Sequence, residues 1–307
     1  MVRIKSLILG GKTTTRSQLD RMLTDYNIDR SHLGEEEVET VIMVDDESKI
    51  GRSPLPVNSV VVRKDAGPGE CRNSFLEMCL CEDNPCDYIL FFDGDDRISM
   101  DYLENAYKHA CVGESDIVIF SGMRMVMSNV SVPASSAINP VSNIMIPYDV
   151  FCKYIYSDKV GGQCWGKLIK LSLIKENVRF AEGMYEDVIF WYRLLDANEN
   201  LVVNTDVSST YWWMYNPKSI VNKKPSKQEV DNVIENLEWI LNKSIEKFMD
   251  EPLPKEIYFR YTLGYYLVSR RLGKSVVSDL TRKEYFRASK IFSGKALEEA
   301  NEFGIGG

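Results

Sequence analysis

One stretch constrains this chain more than any other: Asp87-Tyr88-Ile89-Leu90-Phe91-Phe92-Asp93-Gly94-Asp95-Asp96-Arg97. A short apolar run bounded by polar residues reads as a buried strand. It ends abruptly in three carboxylates packed around a glycine. At the carboxyl end of a parallel strand, acidic side chains sit where open α/β sheets bind ligands. Gly94 is expected to permit a tight turn that crowds Asp93, Asp95 and Asp96. Crowded carboxylates repel one another unless a cation neutralises them, and hard oxygen ligands suit Mg²⁺ or Mn²⁺. An acidic turn after a core strand would carry the same letters, so this spacing alone leaves both readings open.

The flanking sequence favours the ligand site. Ile4 to Leu9, Val38 to Val44, Ser59 to Arg63 and Asp116 to Phe120 read as further strands, separated by helical stripes such as Leu19, Met22 and Leu23. Strands alternating with short helices predict an α/β fold with a mostly parallel, Rossmann-like, doubly wound sheet and flanking helices. The second strand also ends in acid, at Asp45-Asp46, and core packing requires neither cluster. Ser99 is expected to cap the helix that carries Leu103, Ala106 and Ala110. Residues 201–204 and 209–215 read as two short closing strands. Gly10-Gly11-Lys12-Thr13 resembles a P-loop, but the glycine required five residues before Gly11 is Ser6.

Composition bounds the remainder. The 307 residues suffice for one large domain with an appendage, or for two domains. No apolar run reaches the roughly 18 to 20 residues that a membrane span needs. The segment from Met1 to Ser6 leads straight into a strand and lacks a signal-peptide cleavage pattern. Seven cysteines, an odd number scattered through the chain, favour reduced thiols over a disulfide framework. A cytoplasmic protein is therefore expected, with peripheral membrane association left open. The net charge of −8 offers no global attraction for nucleic acid or anionic lipid. From residue 217 the pattern changes to helices: one with a single apolar face over Ser226 to Leu241, one apolar on most faces over Ile257 to Leu272, and a third over Arg282 to Glu302.

Taken in order, six short motifs resemble those of the family-2 glycosyltransferases of the GT-A fold. Val44-Asp45-Asp46-Glu47-Ser48 is similar to the strand end whose acid contacts the nucleotide base. Gly67-Pro68-Gly69 through Arg72-Asn73 is similar to the glycine turn whose arginine lies near the nucleotide. Phe92-Asp93-Gly94-Asp95-Asp96 resembles the metal-binding Asp-x-Asp-Asp, and Trp165-Gly166-Lys167-Leu168 the Lys-Leu element. Tyr185-Glu186-Asp187 resembles the Glu-Asp pair whose aspartate is the usual base, and Tyr211 through Ser219 the aromatic-Asn-Ser strand. The loop after the first strand departs from the family, with Gly-Gly-Lys-Thr-Thr-Thr in place of Pro-x-Tyr-Asn.

The resemblance implies a GT-A domain over residues 1–216; the helical module expected over 217–307 from its own pattern has no counterpart in it and is a candidate for homo-oligomer contacts. The resemblance also implies an inverting transfer from a nucleotide-sugar donor, a UDP-sugar by preference, with Mn²⁺ or Mg²⁺ as cofactor. Asp187, beside Glu186, would be the general base, and Asp95 and Asp96 the metal ligands with Asp93 in support. Thr13, Asp45, Asp46, Arg72, Asp93, Asp95 and Lys167 would contact the donor, and Trp165, Trp212 and Trp213 would bound the acceptor and sugar pocket. The acceptor remains open among a glycan, a lipid-linked saccharide, a small molecule and a modified nucleic-acid base. Two competing readings are a sugar-nucleotide pyrophosphorylase and a non-catalytic protein that keeps the fold as a binding scaffold.

Overall fold

The computed structural model describes residues 1–30, 33–34, 37–49, 59–81, 86–127, 130–133, 144–156, 162–183 and 186–218, with isolated positions between 226 and 246. The chain divides into two compact units, one holding Met1–Glu182 with Glu186–Ile220 and the other Gly183–Tyr185 with Val221–Gly307. In the second, Gln228, Asn232, Glu235, Asn236, Trp239, Lys243 and Glu246 are helical. The helices expected over 257–272 and 282–302, and any self-association through them, lie outside the described residues.

The first unit begins with the expected alternation: β1 (Ile4–Gly10), α1 (Arg16–Arg30), β2 (Val38–Val44), β3 (Ser59–Val62), α2 (Pro68–Leu80) and β4 (Tyr88–Asp93). These four strands are parallel and ordered β3-β2-β1-β4. All of β1 is buried, including its polar residues. Lys5 pairs with Glu39 at 3.2 Å, and the Ser6 hydroxyl shares a hydrogen bond of 2.5 Å with Tyr26. Such pairing removes the cost of burying polar groups at the sheet centre.

Beyond β4 the sheet continues through β9 (Lys167–Lys170), β6 (Ile117–Met127), β10 (Val203–Met214) and β5 (Arg97–Ile98). Two further strands join it: β7 (Val130–Pro133) beside β6, and β8 (Met145–Ile146) beside β10. β1 to β4, β6 and β10 run one way, while the short β5, β7, β8 and β9 oppose them. The architecture is the expected mixed α/β one with a mostly parallel sheet.

Side chains alternate across a strand, so Phe91 and Phe92 of β4 face opposite layers. Phe92 meets Tyr26 of α1 and Tyr102 of α3 (Tyr102–Val112), at ring separations of 5.6 and 5.7 Å. Phe91 meets Phe75 of α2 and Phe190 of α5 (Glu186–Ala197), the helix that follows α4 (Tyr148–Tyr156), at 5.6 and 6.3 Å. Each fully buried ring contributes about 1.5–3 kcal/mol, so both layers are anchored on the strand that carries the acidic turn.

Two local expectations are corrected. Ser99 does not cap α3: its hydroxyl accepts the Thr210 N–H at 3.0 Å, and Asp29 of α1 accepts the Leu103 and Glu104 N–H groups instead. Residues 203–214 form one strand rather than part of two, with a register shift between Asp206 and Thr210. There the Asp206 carboxylate accepts the Ser208 and Ser209 N–H groups that the ladder leaves over, so the polar Asp-Val-Ser-Ser stretch is a bulge and not a break. The expected tight turn at Gly94 is present, with the Asp96 N–H donating to the Asp93 carbonyl at 3.1 Å, and Gly94 takes no positive φ there. It is required by close approach, since a Cβ there would lie 3.1 Å from the Leu9 carbonyl oxygen and 3.0 Å from Leu19 Cδ1.

Gly69 faces a tighter constraint. A Cβ there would lie 2.3 Å from the Ala181 carbonyl oxygen, whereas one at Gly67 would meet nothing within 4 Å. The gain of about 1 kcal/mol in helix propensity cannot offset a clash with backbone. Gly69→Ala is expected to lower stability by about 1–3 kcal/mol in urea unfolding, and Gly67→Ala to stay within about 0.5 kcal/mol of the parent.

Candidate active site

The strand order reverses between β1 and β4: β2 and β3 step outward on one side, and β4 lies on the other. Ligands of open α/β sheets bind at such a switch point, beyond the carboxyl ends of the strands. Gly10, Asp45, Arg63 and Asp93 stand at those ends.

Arg72 of α2 is the junction of this edge. Its side chain is 6% exposed and donates to Asp93 Oδ1 at 3.0 Å and to Glu186 Oε1 at 2.6 Å. Its guanidinium also lies 5.6 Å from the centre of the Phe180 ring. Asn73 fixes the same segment, exchanging two hydrogen bonds with the Phe180 backbone at 2.8 and 3.0 Å. Residues more than one hundred positions apart are thereby locked into one cluster, with Arg72 buried at its centre.

The acidic turn divides its carboxylates between two environments. Asp96 is buried, with Oδ2 accepting from the Tyr211 hydroxyl and Oδ1 from the Met214 N–H, both at 2.8 Å. Burial, then the neighbouring Asp93 and Asp95, hold its pKa well above the usual carboxylate range. The Tyr211 hydroxyl in turn accepts the Asp93 N–H at 3.1 Å. Asp93 and Asp95 are only half-buried. Asp95 Oδ2 accepts from Asn216 at 2.9 Å, and burial followed by repulsion from Asp93 raises the Asp95 pKa.

Asp187 lies in the first turn of α5, directly after the anchored Glu186. Desolvation and then the Glu186 and Asp93 charges push its pKa up to about 7, against the opposing pull of Arg72 and the Val188 N–H. A carboxylate poised near neutral pH is suited to taking and giving protons.

The remaining expected residues fall into two groups. Asp45 and Asp46 flank the cleft after β2, where Asp45 pairs with Lys49 at 2.5 Å and Asp46 accepts the Ser48 N–H at 2.8 Å. The backbone bond from Ser48 is the main cause of the lowered Asp46 pKa. Lys49 also donates to the Gly11 carbonyl at 2.7 Å, tying the first loop to β2. Thr13 is half-buried in that loop, and its carbonyl accepts from Asn216 at 3.3 Å. Thr15 is used locally, exchanging hydrogen bonds with Gln18 as a capping box for α1.

The structure does not bring Lys167 or Trp165 to the cleft surface. Lys167 is fully buried, donates to the Gln163 carbonyl at 2.5 Å and lies 5.2 Å from the Trp191 ring centre. Trp165 stacks on Tyr211 at 4.4 Å with an 8° tilt. Trp212 is half-buried, and Trp213 is 38% exposed. Sequence reasoning misses Tyr211, Asn216 and Lys49 as individual contributors. Tyr211 and Asn216 lie inside the aromatic-Asn-Ser motif, whose resemblance assigns no partner to either, and Lys49 follows a recognised acidic strand end.

Among the described residues, no group of three or more His, Cys, Asp or Glu side chains is arranged to hold a metal by itself. Asp96, expected as a metal ligand, is instead buried with both oxygens engaged by Tyr211 and the Met214 N–H, and Asp93 and Asp95 alone fit a hard divalent ion of the Mg²⁺ type, which is bound by one or two carboxylates with substrate phosphates and water. Burial and then repulsion from Asp93 raise the Asp95 pKa, and a cation would relieve that repulsion.

The fold is that of Staphylococcus aureus TarS. The crystal structure of TarS residues 1–349 in complex with UDP-GlcNAc matches with a TM-score of 0.60 at 15% identity, over 99% of this chain and 92% of that one. TarS residues 1–349 in complex with UDP match at 0.59 and 17% identity, over 88% and 71%. A longer TarS structure matches at 0.60 and 16% identity over 86% of this chain, which covers 43% of the TarS chain. In sequence, the chain is 25% identical over 227 residues to the cholesterol galactosyltransferase of Borreliella burgdorferi, spanning 69% of this chain and 60% of that protein. No protein-family model matches the chain. Among the described residues, no helix is long and apolar enough to cross a membrane.

A carboxylate whose pKa is raised on folding keeps its proton in the folded state above the unfolded value of 3.8, so stability is lost as pH rises toward 7. Asp187→Asn removes that liability. Its melting temperature is expected to exceed the parent's at pH 8 and to match it near pH 4, in paired thermal scans across that range.

Proposed function

We propose that this protein is a metal-dependent, inverting glycosyltransferase of the family-2 type, moving a sugar from a nucleoside diphosphate to an acceptor hydroxyl. The observation that carries the proposal is the Arg72 junction, which gathers the acidic turn of β4 and the Glu186-Asp187 pair at one sheet edge. A donor site and a base are thus neighbours on a fold shared with TarS. UDP is the favoured nucleotide because TarS structures hold UDP and UDP-GlcNAc.

In this reading Asp45, Asp46 and the Thr13 loop receive the nucleoside. Asp93 and Asp95 would hold Mn²⁺ or Mg²⁺, which when bound neutralises the departing diphosphate. Asp187 takes the proton from the acceptor hydroxyl. The acceptor oxygen forms its bond to the anomeric carbon from the face opposite the diphosphate, and the breaking C–O bond leaves its electron pair on the nucleotide. Arg72 acts by holding Asp93 and Glu186 in place, and Asp96 by bracing the turn from inside. The exposed Trp213 is offered to the acceptor side. A hydroxyl on an apolar acceptor is one class to test, given the sterol acceptor in the relative's name.

The test incubates the protein with UDP-galactose, UDP-glucose or UDP-GlcNAc, Mn²⁺, and glycan or sterol acceptors, and assays free UDP and pyrophosphate. UDP release is expected, whereas pyrophosphate release would support a nucleotidyltransferase. Asp187→Asn is expected to lower kcat by about 10²–10⁴-fold while keeping metal-dependent stabilisation by UDP. Turnover in the parent should rise with pH through about 7 as Asp187 loses its proton. Undiminished turnover in Asp187→Asn would remove Asp187 from the base role, and failure of every donor to release UDP would reject the transferase reading.

A further inference from the structure

We infer that Asn216 is a positioning residue for the donor site, holding Asp95 and the first loop together in the arrangement that receives a metal-bound nucleoside diphosphate. This inference rests on the transferase reading and deepens it. Asn216 follows the end of β10 and is 8% exposed. Its Nδ2 donates to Asp95 Oδ2 at 2.9 Å and to the Thr13 carbonyl at 3.3 Å, while its Oδ1 accepts the Lys218 N–H at 2.9 Å.

Chemistry fixes the identity of this side chain. The partners at Nδ2 are both acceptors and the partner at Oδ1 is a donor, so only one orientation of the amide satisfies all three. An aspartate has the same shape but accepts at both ends when ionised. It would set oxygen against the Thr13 carbonyl and add a charge beside Asp95. An alanine would release both sides of the clamp.

The clamp joins parts that nothing in sequence order connects. Thr13 belongs to the loop after β1, Asp95 to the turn after β4, and Asn216 to the segment after β10. These loops flank the switch point where the nucleotide is proposed to sit. Asp95 borders the braced Asp96, but its own carboxylate is held by Asn216. Removing the clamp should therefore loosen Asp95 and Thr13 together while leaving the Tyr211–Asp96 brace intact.

The experiment measures binding of UDP by calorimetry and thermal shift over a Mn²⁺ titration, in the parent, Asn216→Ala and Asn216→Asp. Losing a hydrogen bond to a charged group corresponds to about a tenfold or larger loss of affinity. Asn216→Ala is expected to fold cooperatively and to bind UDP at least about tenfold more weakly at all Mn²⁺ concentrations. Asn216→Asp is expected to bind weakly at low Mn²⁺ and to recover part of the affinity as Mn²⁺ rises, because the cation offsets the added carboxylate. A purely structural role would give no such metal-dependent difference between the two variants. Parental UDP affinity in Asn216→Ala, or identical Mn²⁺ profiles in both variants, would overturn the inference while leaving the transferase reading standing. No UDP response in the parent protein would overturn both.

Discussion

The arrangement of this sheet edge depends on one buried charge. Arg72 is nearly inaccessible to solvent, and its guanidinium is shared between Asp93 and Glu186. A desolvated cation is costly unless carboxylates and hydrogen bonds surround it, and removing one partner leaves the others uncompensated. Two acidic segments are therefore held against α2 by a shared electrostatic need. The same need anchors Glu186, whereas burial and then the Glu186 charge raise the pKa of the adjacent Asp187 against the pull of Arg72. Neighbouring carboxylates thus differ: Glu186 is hydrogen-bonded to the arginine, and Asp187 is desolvated beside it.

A similar separation runs through the acidic turn. Asp96 points into the protein and is answered by Tyr211 and the Met214 backbone, so it acts as an internal brace. Tyr211 serves that brace from within the core, lying nearly parallel to Trp165 and Phe92. Asp93 and Asp95 stay at the half-buried edge, each with one oxygen engaged by Arg72 or Asn216. The turn is thus fastened from behind and along its flanks, which lets its outer carboxylates remain crowded without collapsing toward other cations. On the proposed reading, a divalent cation would relieve this repulsion and bridge the carboxylates to the anionic diphosphate.

The fold was legible where periodicity and chemistry agreed. Buried strands β1, β2 and β4 are short apolar runs, and alternation with helical stripes implied parallel pairing. Reading failed where a polar side chain substituted for a backbone partner. Asp206 carries β10 through a bulge that looked like a loop, and Asp29 caps α3 from a distant helix. At the site, the acidic motifs were legible because carboxylates at strand ends are informative. Lys167 and Trp165 were not, since a lysine or tryptophan beside glycine carries no mark of which way it faces.

Sequence alone determined the alternation of the long parallel strands with helices, the acidic strand ends and the identities of most residues gathered near the switch point. Those properties follow from local periodicity and from the chemistry of each side chain. Only the tertiary structure decided which carboxylate is braced, which is anchored and which is left poised near neutrality. Burial and pairing depend on partners more than one hundred residues away, as between Arg72 and Glu186, Asp96 and Tyr211, or Thr13 and Asn216. Distance along the chain hides such pairs, because each is made by the packing of the sheet and not by either residue's neighbours in sequence.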